Sequence, residues 1–541
     1  MMSALVNLSS AERTHVGRKL PFGKPIAGKM RCRRHDRFLP ICRREDSEPA
    51  LAETLVPFGE DTMTEIRLAS LQGGATVVGS DTLAAFRETL RGNVCLSGEA
   101  GYDEARTIWN AMIDRHPGAV VRCKGAADIM RTVQFAREHR LLLAVRGGGH
   151  NIAGNAVCEG GLLIDLTPMR SVWVDPARRV ARVEPGVTLG EFDKEAQSFG
   201  LATPLGINST TGVAGLTLGG GFGWLSRKFG LAADNLISAD VVTAEGKLLQ
   251  ANATENSDLF WALRGGGGNF GVVSSFEFRL HAVGPMVLSG LIVHPFARAK
   301  ELLAGYRQVA AKAPDELTVW VVLRQAPPLP FLPAEVHGKE ILVFAVCYTG
   351  EEADGKRALE PLRALGNPIA DVIGMQPFAA WQTAFDPLLT SGAYNYWKSH
   401  NFAELTDGLL DTLTSHAARL PTPECEIFIG QFGGATNRVA VDATAYPHRN
   451  ANFVMNVHTR WRDRADAQRS IDWTRKLFAE TAPHATGGVY VNFMPEDETD
   501  RVSSAYGANY ARLAALKAKY DPDNLFRLNQ NVQPSVKQTA A

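Results

Sequence analysis

Two hydrophobic patterns divide the 541-residue chain. In the first, VVRC and LLLAV are short apolar runs that predict strands, and the segment between them repeats apolar residues at helical spacing, as at Ile129, Val133 and Ala136. LLIDLT, RRVARVEPG and DVVTAEG predict further strands, and TLGEFDKEAQSFG predicts a helix that begins at Thr188 and ends at Gly200. Up to about residue 283 the pattern therefore predicts mixed α and β structure.

The second pattern, from residue 284 to about residue 488, is dominated by β alternation. LTVWVVLRQ and EILVFAVCYTG predict strands, and helical stretches such as ADGKRALEPLRALG lie between them. This mixture predicts an antiparallel sheet with helices on one face. Near the end, DRVSSAYGANYARLAALKAKY predicts a single long helix, and DPDNLFRLNQN predicts a turn followed by a polar strand.

Composition excludes several classes of function. The formal net charge is zero, so the chain offers no electrostatic footprint for nucleic acid or for an anionic membrane. No apolar run approaches the length of a membrane span. The seven cysteines are dispersed and form no CxxC pair, which argues against a disulfide framework and against a structural zinc site. Reduced thiols in the cytoplasm are the expectation.

The first 62 residues differ in composition from the rest. Eleven Lys or Arg lie between Arg13 and Arg44, and RCRRHDRFLPICRRED shows no hydrophobic period. The apolar stretch after the twin arginine, FLPIC, is too short for a signal peptide. We expect a disordered basic arm, or upstream sequence translated from too early a start, with Met63 as the alternative start.

Three glycine clusters carry the strongest chemical signal. They are RGGGH at residues 146–150, GGGFG at 219–223 and RGGGGNFG at 264–271. Backbone N–H groups in such loops can approach a phosphate closely, because no Cβ blocks them. Glycines also mark bulges and tight turns, and neither the Rossmann fingerprint nor a P-loop is present. Three clusters in one domain favour an extended anionic ligand such as a dinucleotide, without identifying it.

The motifs around these clusters carry a family resemblance. RGGGHNIAG, EPGVTLGEF, GVAGLTLGGGFGWLSRKFGLAADNL and LFWALRGGGGNFGVV resemble the FAD domain of the vanillyl-alcohol oxidase and p-cresol methylhydroxylase superfamily. YVNF and NYARLAALKAKYDPDNLFRLNQN resemble the end of its berberine bridge enzyme-like branch, in the bacterial form. The resemblance covers roughly residues 105 to 534. It implies an α+β fold, with a two-subdomain FAD-binding domain of the p-cresol methylhydroxylase type and an antiparallel-sheet substrate domain with helices on one face.

The resemblance also divides the chain into segments. We expect the basic arm at 1–62, a lead-in at 63–113, the FAD-binding domain at 114–283, the substrate domain at 284–488 and a berberine-bridge-like segment at 489–541 that returns to the FAD domain.

The resemblance answers why a histidine closes the first glycine run. In the family this loop cradles the FAD pyrophosphate, and the histidine bonds covalently to the flavin. Carried over, Arg146, Gly147, Gly148 and Gly149 hold phosphate and His150 is the tether. A neutral imidazole is a competent nucleophile near neutral pH. The other residues expected at the cofactor are Asn151, Gly219, Gly220, Gly221, Gly223, Asn235, Gly268, Asn269, Gly271, Val272, Asn529 and Asn531.

A second covalent bond is not expected. Many relatives carry a cysteine just before the GGGFG loop, where this chain has Asn208. Asparagine cannot form the thioether. Cys158 lies outside that motif and is better explained as a small buried hydrophobe. The resemblance therefore implies a single linkage, through His150.

The reacting side is less well specified. Relatives that oxidise alcohols often carry YxNY with the second tyrosine as general base, and here Tyr490 is followed by Phe493. Phenylalanine cannot accept a proton, whereas oxidation of a neutral amine needs no such base, so the substitution favours a C–N substrate or another base. Tyr490 itself is a candidate catalytic residue, and the candidates in the substrate domain are Tyr394, Tyr396, Lys398, His448 and Arg449.

The sequence as a whole predicts a cytoplasmic, monocovalent FAD oxidoreductase that takes hydride from a small organic substrate. Oxygen is the expected acceptor, and the oligomeric state stays open. Two alternatives remain: a carbohydrate or alcohol oxidase with a relocated base, and a flavin-binding carrier or sensor without turnover.

Overall fold

The structure is a computed structural model and describes residues 65–535. The predicted basic arm, residues 1–62, lies outside the described residues. Within the described part, no helix is long and apolar enough to cross a membrane.

The first part of the chain forms two larger sheets, the two-stranded sheets β1-β2 and β9-β13, and a set of short helices. The strands are β1 Glu65–Ala69, β2 Ala75–Gly79, β3 Asn93–Leu96, β4 Ala119–Arg122, β5 Leu143–Arg146, β6 Leu162–Asp165, β7 Val172–Asp175, β8 Val180–Val183, β9 Leu201–Ala202, β10 Leu236–Val242, β11 Leu248–Asn252, β12 Val272–Arg279 and β13 His281–Ala282. The helices are α1 Ser80–Glu88, α2 Tyr102–Arg106, α3 Ala126–Glu138, α4 Leu189–Gln197, α5 Val213–Leu218, α6 Ser226–Phe229 and α7 Ser257–Leu263.

Of the two larger sheets, one is mixed and the other is antiparallel. In the four-stranded sheet, of order β3-β4-β6-β5, strands β4 and β5 both run parallel to β6. The five-stranded sheet has the order β11-β10-β12-β8-β7. Helix α4 begins where predicted, because Thr188 and Glu191 form a reciprocal capping box. Strand β5 ends at Arg146, so the first glycine loop follows directly from a buried strand.

The second part of the chain forms one large sheet. Its strands are β14 Met286–Pro295, β15 Leu317–Gln325, β16 Glu340–Tyr348, β17 Ala370–Asp371, β18 Gly374–Pro377, β19 Tyr394–Phe402, β20 Glu426–Gln431 and β21 Phe453–Trp461. Its helices are α8 Ala299–Lys312, α9 Glu352–Arg363, α10 Phe378–Gln382, α11 Asp407–Ala417, α12 Ala435–Arg438 and α13 Ala467–Thr481. The strand order is β17-β14-β16-β15-β20-β21-β19, with β18 paired to β14, and every pair is antiparallel.

The two faces of this sheet have different partners. Alternate residues of β15, β16, β20 and β21 form one core with helices α8, α9, α11 and α13. The opposite face carries Trp320, Phe428 and Val454, which pack with Phe222 and Tyr490 from outside the sheet. The predicted α+β class and the antiparallel sheet with helices on one face are therefore confirmed.

The C-terminal segment departs from the sequence prediction. The expected single helix is broken into α14 Val502–Tyr506 and α15 Tyr510–Tyr520, because Gly507 takes a positive φ of 47° between them. The polar strand expected after it does not form, since residues 531–535 have no regular secondary structure. A fully buried ion pair, Lys517 to Asp521 at 2.6 Å, anchors the turn that follows α15.

Candidate functional site

A cavity of about 320 Å³ lies between the glycine loops and the face of the large sheet that lacks helices. Its floor consists of loop backbone, including the first and third glycine clusters. Its roof consists of side chains from β15, β19, β20 and β21. The floor and the roof are described in turn.

The first glycine loop presents free backbone amides to the cavity. The N–H groups of Gly148, Gly149 and His150 donate to no group among residues 65–535. Gly149 has a φ of 71°, and a Cβ on Gly148 would lie 2.4 Å from the backbone nitrogen of Gly212. Side chains are therefore excluded from this turn, and consecutive free N–H groups form a concave anion site. The diphosphate of FAD fits this donor set.

Arg146 stands behind the loop and does not line the cavity. Its guanidinium contacts Asp165 at 3.0 Å and donates to the Thr107 carbonyl at 3.0 Å. Both charged groups are buried. Arg146 therefore fixes the end of β5 and the loop that follows it, without reaching the place where a phosphate would sit.

His150 closes the loop and lines the cavity. Its ring stacks on Trp109 with centroids 5.1 Å apart. Its Nε2 lies 3.1 Å from Thr210 Oγ1, and its Nδ1 lies 3.4 Å from Thr211 Oγ1. Burial lowers the pKa of His150 to about 4. The imidazole is therefore neutral at physiological pH, the state in which a ring nitrogen can attack an electrophile. Asn151 also lines the cavity.

The second glycine cluster has a packing role in this structure. Gly219, Gly220, Gly221 and Gly223 do not line the cavity, although their neighbours Leu218 and Phe222 do. A Cβ on Gly219 would lie 2.2 Å from Asn492, and one on Gly223 would lie 1.8 Å from the Leu205 carbonyl oxygen. The sequence reasoning placed these glycines at the cofactor, but close approach to other parts of the protein requires them.

The third cluster and the chain end complete the floor. Gly268, Gly271, Val272 and Asn529 line the cavity, as does Gln530, which sequence reasoning placed in the returning turn. Three other expected contacts lie outside the lining, namely Asn235, Asn269 and Asn531. Asn235 donates to the carbonyls of Phe229 and Leu231, and Asn269 donates to the carbonyls of Gly266 and Gln530. These two amides hold loops in place.

The roof is aromatic, with a small polar patch. Trp320, Trp397 and Phe428 line it together with Phe222 and Phe493. The Trp397 ring lies 5.8 Å from Trp109 and 5.7 Å from Phe493, so aromatic contacts connect the loop of His150 to the roof. The polar patch is formed by Glu426, Asn456 and His458.

Strand pairing brings the polar patch together. His458 on β21 is opposite Trp397 on β19 and opposite Glu426 on β20. Nδ1 of His458 lies 3.2 Å from Glu426 Oε1, and Arg324 donates to the other carboxylate oxygen at 2.8 Å. Burial raises the pKa of Glu426, but the charge of Arg324 and the contact with His458 more than offset it, so the pKa lies below the ordinary 4.5. Glu426 is therefore ionised and accepts the Nδ1 proton of His458.

This arrangement leaves one nitrogen of His458 available. Nε2 is buried and has no hydrogen-bond partner among the described residues, and the side chain is 8% exposed. With Nδ1 engaged by a carboxylate, Nε2 is the unpaired ring nitrogen of a side chain that lines the cavity. Asn456 Oδ1 is also buried without a described partner. Buried polar atoms of this kind are rare unless a ligand or a water satisfies them.

Of the predicted catalytic residues, only Tyr490 lines the cavity. Its hydroxyl oxygen accepts hydrogen bonds from Gly221 N at 3.1 Å and Asn492 Nδ2 at 3.0 Å, and burial raises its pKa to about 12. Tyr490 is therefore protonated at neutral pH and can donate a hydrogen bond, but it cannot serve as a base.

The other predicted candidates face away from the cavity. Tyr396 donates to Asp497 at 2.7 Å, and Lys398 contacts Glu498 at 3.1 Å, both on the helix-covered face of β19. His448 contacts the Ala505 carbonyl oxygen at 2.8 Å, and burial lowers its pKa to about 4. Tyr394 and Arg449 also lie outside the lining. Alternation along YNYWKSH already separates Trp397 from Tyr396 and Lys398, and that signal was overlooked.

Comparisons with known proteins agree with the fold and with the floor of the site. Residues 117–252 match the FAD binding domain family model, and residues 489–533 match the berberine and berberine-like model. The chain is 32% identical over 458 residues to an FAD-linked oxidoreductase of Dictyostelium discoideum, covering 83% of this chain and 96% of that protein. It is 31% identical to (R)-6-hydroxynicotine oxidase of Paenarthrobacter nicotinovorans, covering 82% of this chain and 97% of that enzyme.

Solved structures give the same result. The crystal structure of 6-hydroxy-D-nicotine oxidase from Arthrobacter nicotinovorans superposes with a TM-score of 0.74 at 28% identity, over 82% of this chain and 98% of that one. A chitooligosaccharide oxidase shares the fold with a TM-score of 0.74 at 24% identity, over 84% and 100% of the two chains. The fold is therefore used for chemically different substrates.

Proposed function

This chain belongs to the berberine bridge enzyme-like family of FAD-linked oxidoreductases, and from that premise we propose that it oxidises a C–N bond in a small apolar amine. In the same proposal, FAD is held by a single covalent bond to His150, and oxygen is the electron acceptor. The observation that carries the substrate class is the aromatic roof with its small polar patch.

The roof is poorly suited to a sugar. A carbohydrate brings a hydroxyl on nearly every carbon, and each one that is buried without a partner costs roughly 1–3 kcal/mol. The roof offers Asn456 and His458, while both oxygens of Glu426 are already engaged by Arg324 and His458. An apolar molecule with one polar reacting group leaves few groups unsatisfied here, and the surrounding indole and phenyl rings would pack against its carbon skeleton.

The residues on the reacting side favour an amine over an alcohol. Bound FAD would accept the hydride, and the chain would orient the substrate beneath the roof. Phe493 lines the cavity where alcohol-oxidising relatives carry a tyrosine base, and it packs edge-on against Tyr490 with centroids 4.9 Å apart. A neutral amine loses hydride with assistance from its own nitrogen lone pair. His458 Nε2 can accept the proton of an arriving ammonium ion and so generate that neutral form.

His458 also supports a second candidate. An alcohol must lose its hydroxyl proton as hydride leaves, and a histidine fixed by a carboxylate is a competent acceptor. The chain could therefore be an apolar-alcohol oxidase in which His458 replaces the missing tyrosine. The sugar version of this alternative has less support, because the roof has few hydrogen-bonding groups.

Two residues, His150 and Asn208, support the proposal of a single covalent bond to the flavin. His150 is a neutral nucleophile held between Trp109 and two threonine hydroxyls. Asn208 lines the same cavity and accepts hydrogen bonds from the backbone N–H and hydroxyl of Thr210 at 3.1 Å and 2.8 Å. Asn208 thus orders the loop that contacts His150 instead of providing a sulfur atom.

Matched substrate pairs test the proposal. Benzylamine and benzyl alcohol share a carbon skeleton and differ only at the reacting heteroatom, and glucose represents the sugars. We expect anaerobic bleaching of the flavin by the amine, peroxide release in air, and weak reaction with the other two. Phe493→Tyr supplies the missing phenol and should raise the alcohol rate without raising the amine rate.

Each other outcome counts against the proposal. Faster bleaching by benzyl alcohol would favour the second candidate, and fast turnover of glucose would refute the argument from the roof. If no compound in a broad amine, alcohol and sugar panel bleaches the flavin, the carrier or sensor alternative is favoured. Flavin that is bleached by amines but not reoxidised in air would refute oxygen as the acceptor.

A further inference from the structure

A second, smaller cavity adjoins the roof of the first. We call it the side chamber. Its volume is about 70 Å³, and it is enclosed by strands β14, β15 and β16, by the loop after β15 and by the turn before β19. Its lining is mainly aliphatic and aromatic and includes Leu291, Val293, Val322, Leu329 and Phe331. Only Arg324 and Glu426 in the whole lining carry polar side chains that are not indole rings.

The apolar lining belongs to a small core in which Val293, Ile341 and Val343 of the sheet pack with Leu332 of the loop after β15. Along β15, Val319, Val321 and Leu323 pack into the helix-covered core, while Trp320 and Val322 face the opposite way. When one face of a strand packs into a core, the opposite face carries polar residues only where it is exposed to water. Here the second face is also apolar, and the loop and turn over it do not fill the space. An apolar cavity of this kind repels water and can hold an apolar ligand group.

The side chamber shares part of its wall with the main cavity. Five residues line both, namely Ile207, Trp320, Leu389, Glu426 and Phe428. A single layer of side chains therefore lies between the two spaces. The ion pair between Arg324 and Glu426 lies at this boundary, at 2.8 Å. These two charged groups satisfy one another there.

We propose that the side chamber binds the apolar tail of the substrate while the reacting C–N bond lies in the main cavity. This inference rests on the proposed function and narrows it to amines that extend beyond the reacting carbon by a flexible hydrocarbon tail. An apolar cavity of about 150 Å³ holds a benzene-sized molecule, so the chamber has room for roughly three carbon atoms.

A series of straight-chain primary amines from propylamine to decylamine tests the proposal on the flavin-loaded protein. Binding is measured by titration calorimetry and by quenching of tryptophan fluorescence, since Trp320 lines both cavities. Each methylene that enters the chamber should lower Kd about fourfold, and the gain should stop once the chamber is full. A Kd that changes less than twofold along the whole series would refute the proposal.

Two variants that change the volume of the side chamber in opposite directions test whether the substrate tail binds there. Val322→Phe fills the chamber and should remove the dependence on chain length while propylamine still binds as in the wild type. Leu329→Ala, on the covering loop, enlarges the chamber and should move the plateau to longer chains. A dependence on chain length that survives Val322→Phe in a protein of unchanged melting temperature would place the tail elsewhere and overturn the inference. If Val322→Phe fails to fold, an unmoved plateau in Leu329→Ala overturns it.

The same series run with primary alcohols separates the two proposals. If alcohols bleach the flavin and amines do not, the proposed C–N chemistry fails while a chain-length plateau still supports the chamber. If amines are oxidised but their affinity is independent of length, the chamber proposal fails and the proposed function stands.

Discussion

Replacing His458 by Gln should remove the proton acceptor from the cavity with little change in shape. Glutamine can still donate to Glu426, as His458 Nδ1 does at 3.2 Å, but its amide has no basic nitrogen. General-base assistance contributes about a hundred- to ten-thousand-fold in rate, which corresponds to about 2.7 to 5.5 kcal/mol of transition-state stabilisation. For an alcohol, which loses its hydroxyl proton as the hydride leaves, we expect kcat/KM at neutral pH to fall by a factor within that range; for an amine, which needs only to arrive in its neutral form, we expect a smaller loss.

The way in which the loss of kcat/KM in His458→Gln depends on pH identifies its cause. For an amine, the defect in His458→Gln should shrink as pH rises above the pKa of the substrate, because the solvent then supplies the neutral form. For an alcohol, the defect should persist at every pH. The assay is stopped-flow reduction of the flavin without oxygen, between pH 6 and pH 10, so reoxidation does not contribute.

His400→Gln is the matched control. His400 is also buried on the large sheet, but its Nε2 lies 3.0 Å from the Phe478 carbonyl oxygen and its ring stacks on Phe478, away from the cavity. This control should lose stability without changing the pH profile. If His458→Gln reduces the flavin within threefold of the wild-type rate, with the same pH profile, then His458 accepts no proton in the reaction.

Three further predictions concern the cofactor and stability. His150→Ala should release flavin into the supernatant of acid-precipitated protein, whereas the wild-type precipitate stays yellow and its tryptic peptide containing His150 carries the FAD mass. Glu426→Gln should lower the free energy of unfolding by about 1 to 3 kcal/mol in urea titrations at pH 7, because it leaves the partly buried Arg324 without a counter-ion. Burial raises the pKa of Asp193 from 3.8 to about 7, so its folding penalty grows as pH rises between these values, to about 4 kcal/mol. Asp193→Asn should therefore raise Tm at pH 8 and have little effect at pH 4.

The outcomes that would refute these predictions are equally specific. Full release of flavin from wild-type protein by acid would refute the covalent bond. The contribution of Glu426 to the free energy of unfolding should be lost in wild-type protein as pH falls through its depressed pKa. If wild type and Glu426→Gln differ in free energy of unfolding as much at pH 3 as at pH 7, the link between stability and the ionisation of Glu426 is contradicted. A Tm difference for Asp193→Asn that is equal at pH 4 and pH 8 would show that Asp193 is not protonated in the folded protein.

Local sequence signals predicted the floor of the site well. The glycine run after β5 and the histidine that closes it lie where the pattern placed them, since both follow from one strand and one turn. The GGGFG cluster shows the limit of this reasoning. A glycine required because Asn492 or the Leu205 carbonyl lies against it is identical in sequence to a glycine required by a ligand.

The roof could not be predicted from local sequence. Trp397, Glu426 and His458 lie on three strands separated by about thirty residues each, and only the register of β19, β20 and β21 brings them together. Sequence reasoning selected the conspicuous Tyr396 and Lys398 from the same strand. These lie on the opposite face, where Tyr396 donates a hydrogen bond to Asp497 and Lys398 pairs with Glu498.

The floor of the cavity is formed by loop backbone and the roof by side chains, and this difference affects how such a protein can evolve. In the proposed function, main-chain N–H groups around Gly148 bind the cofactor, and every amino acid except proline has such a group, so a substitution there acts by obstruction or by backbone strain. In the same proposal, the roof recognises the substrate through side chains, and a separate core anchors their strands on the far side. Substitutions at Trp397, Asn456 or His458 can therefore change the substrate specificity and leave the cofactor site intact. Related proteins can therefore differ in substrate specificity while they share the same redox reaction.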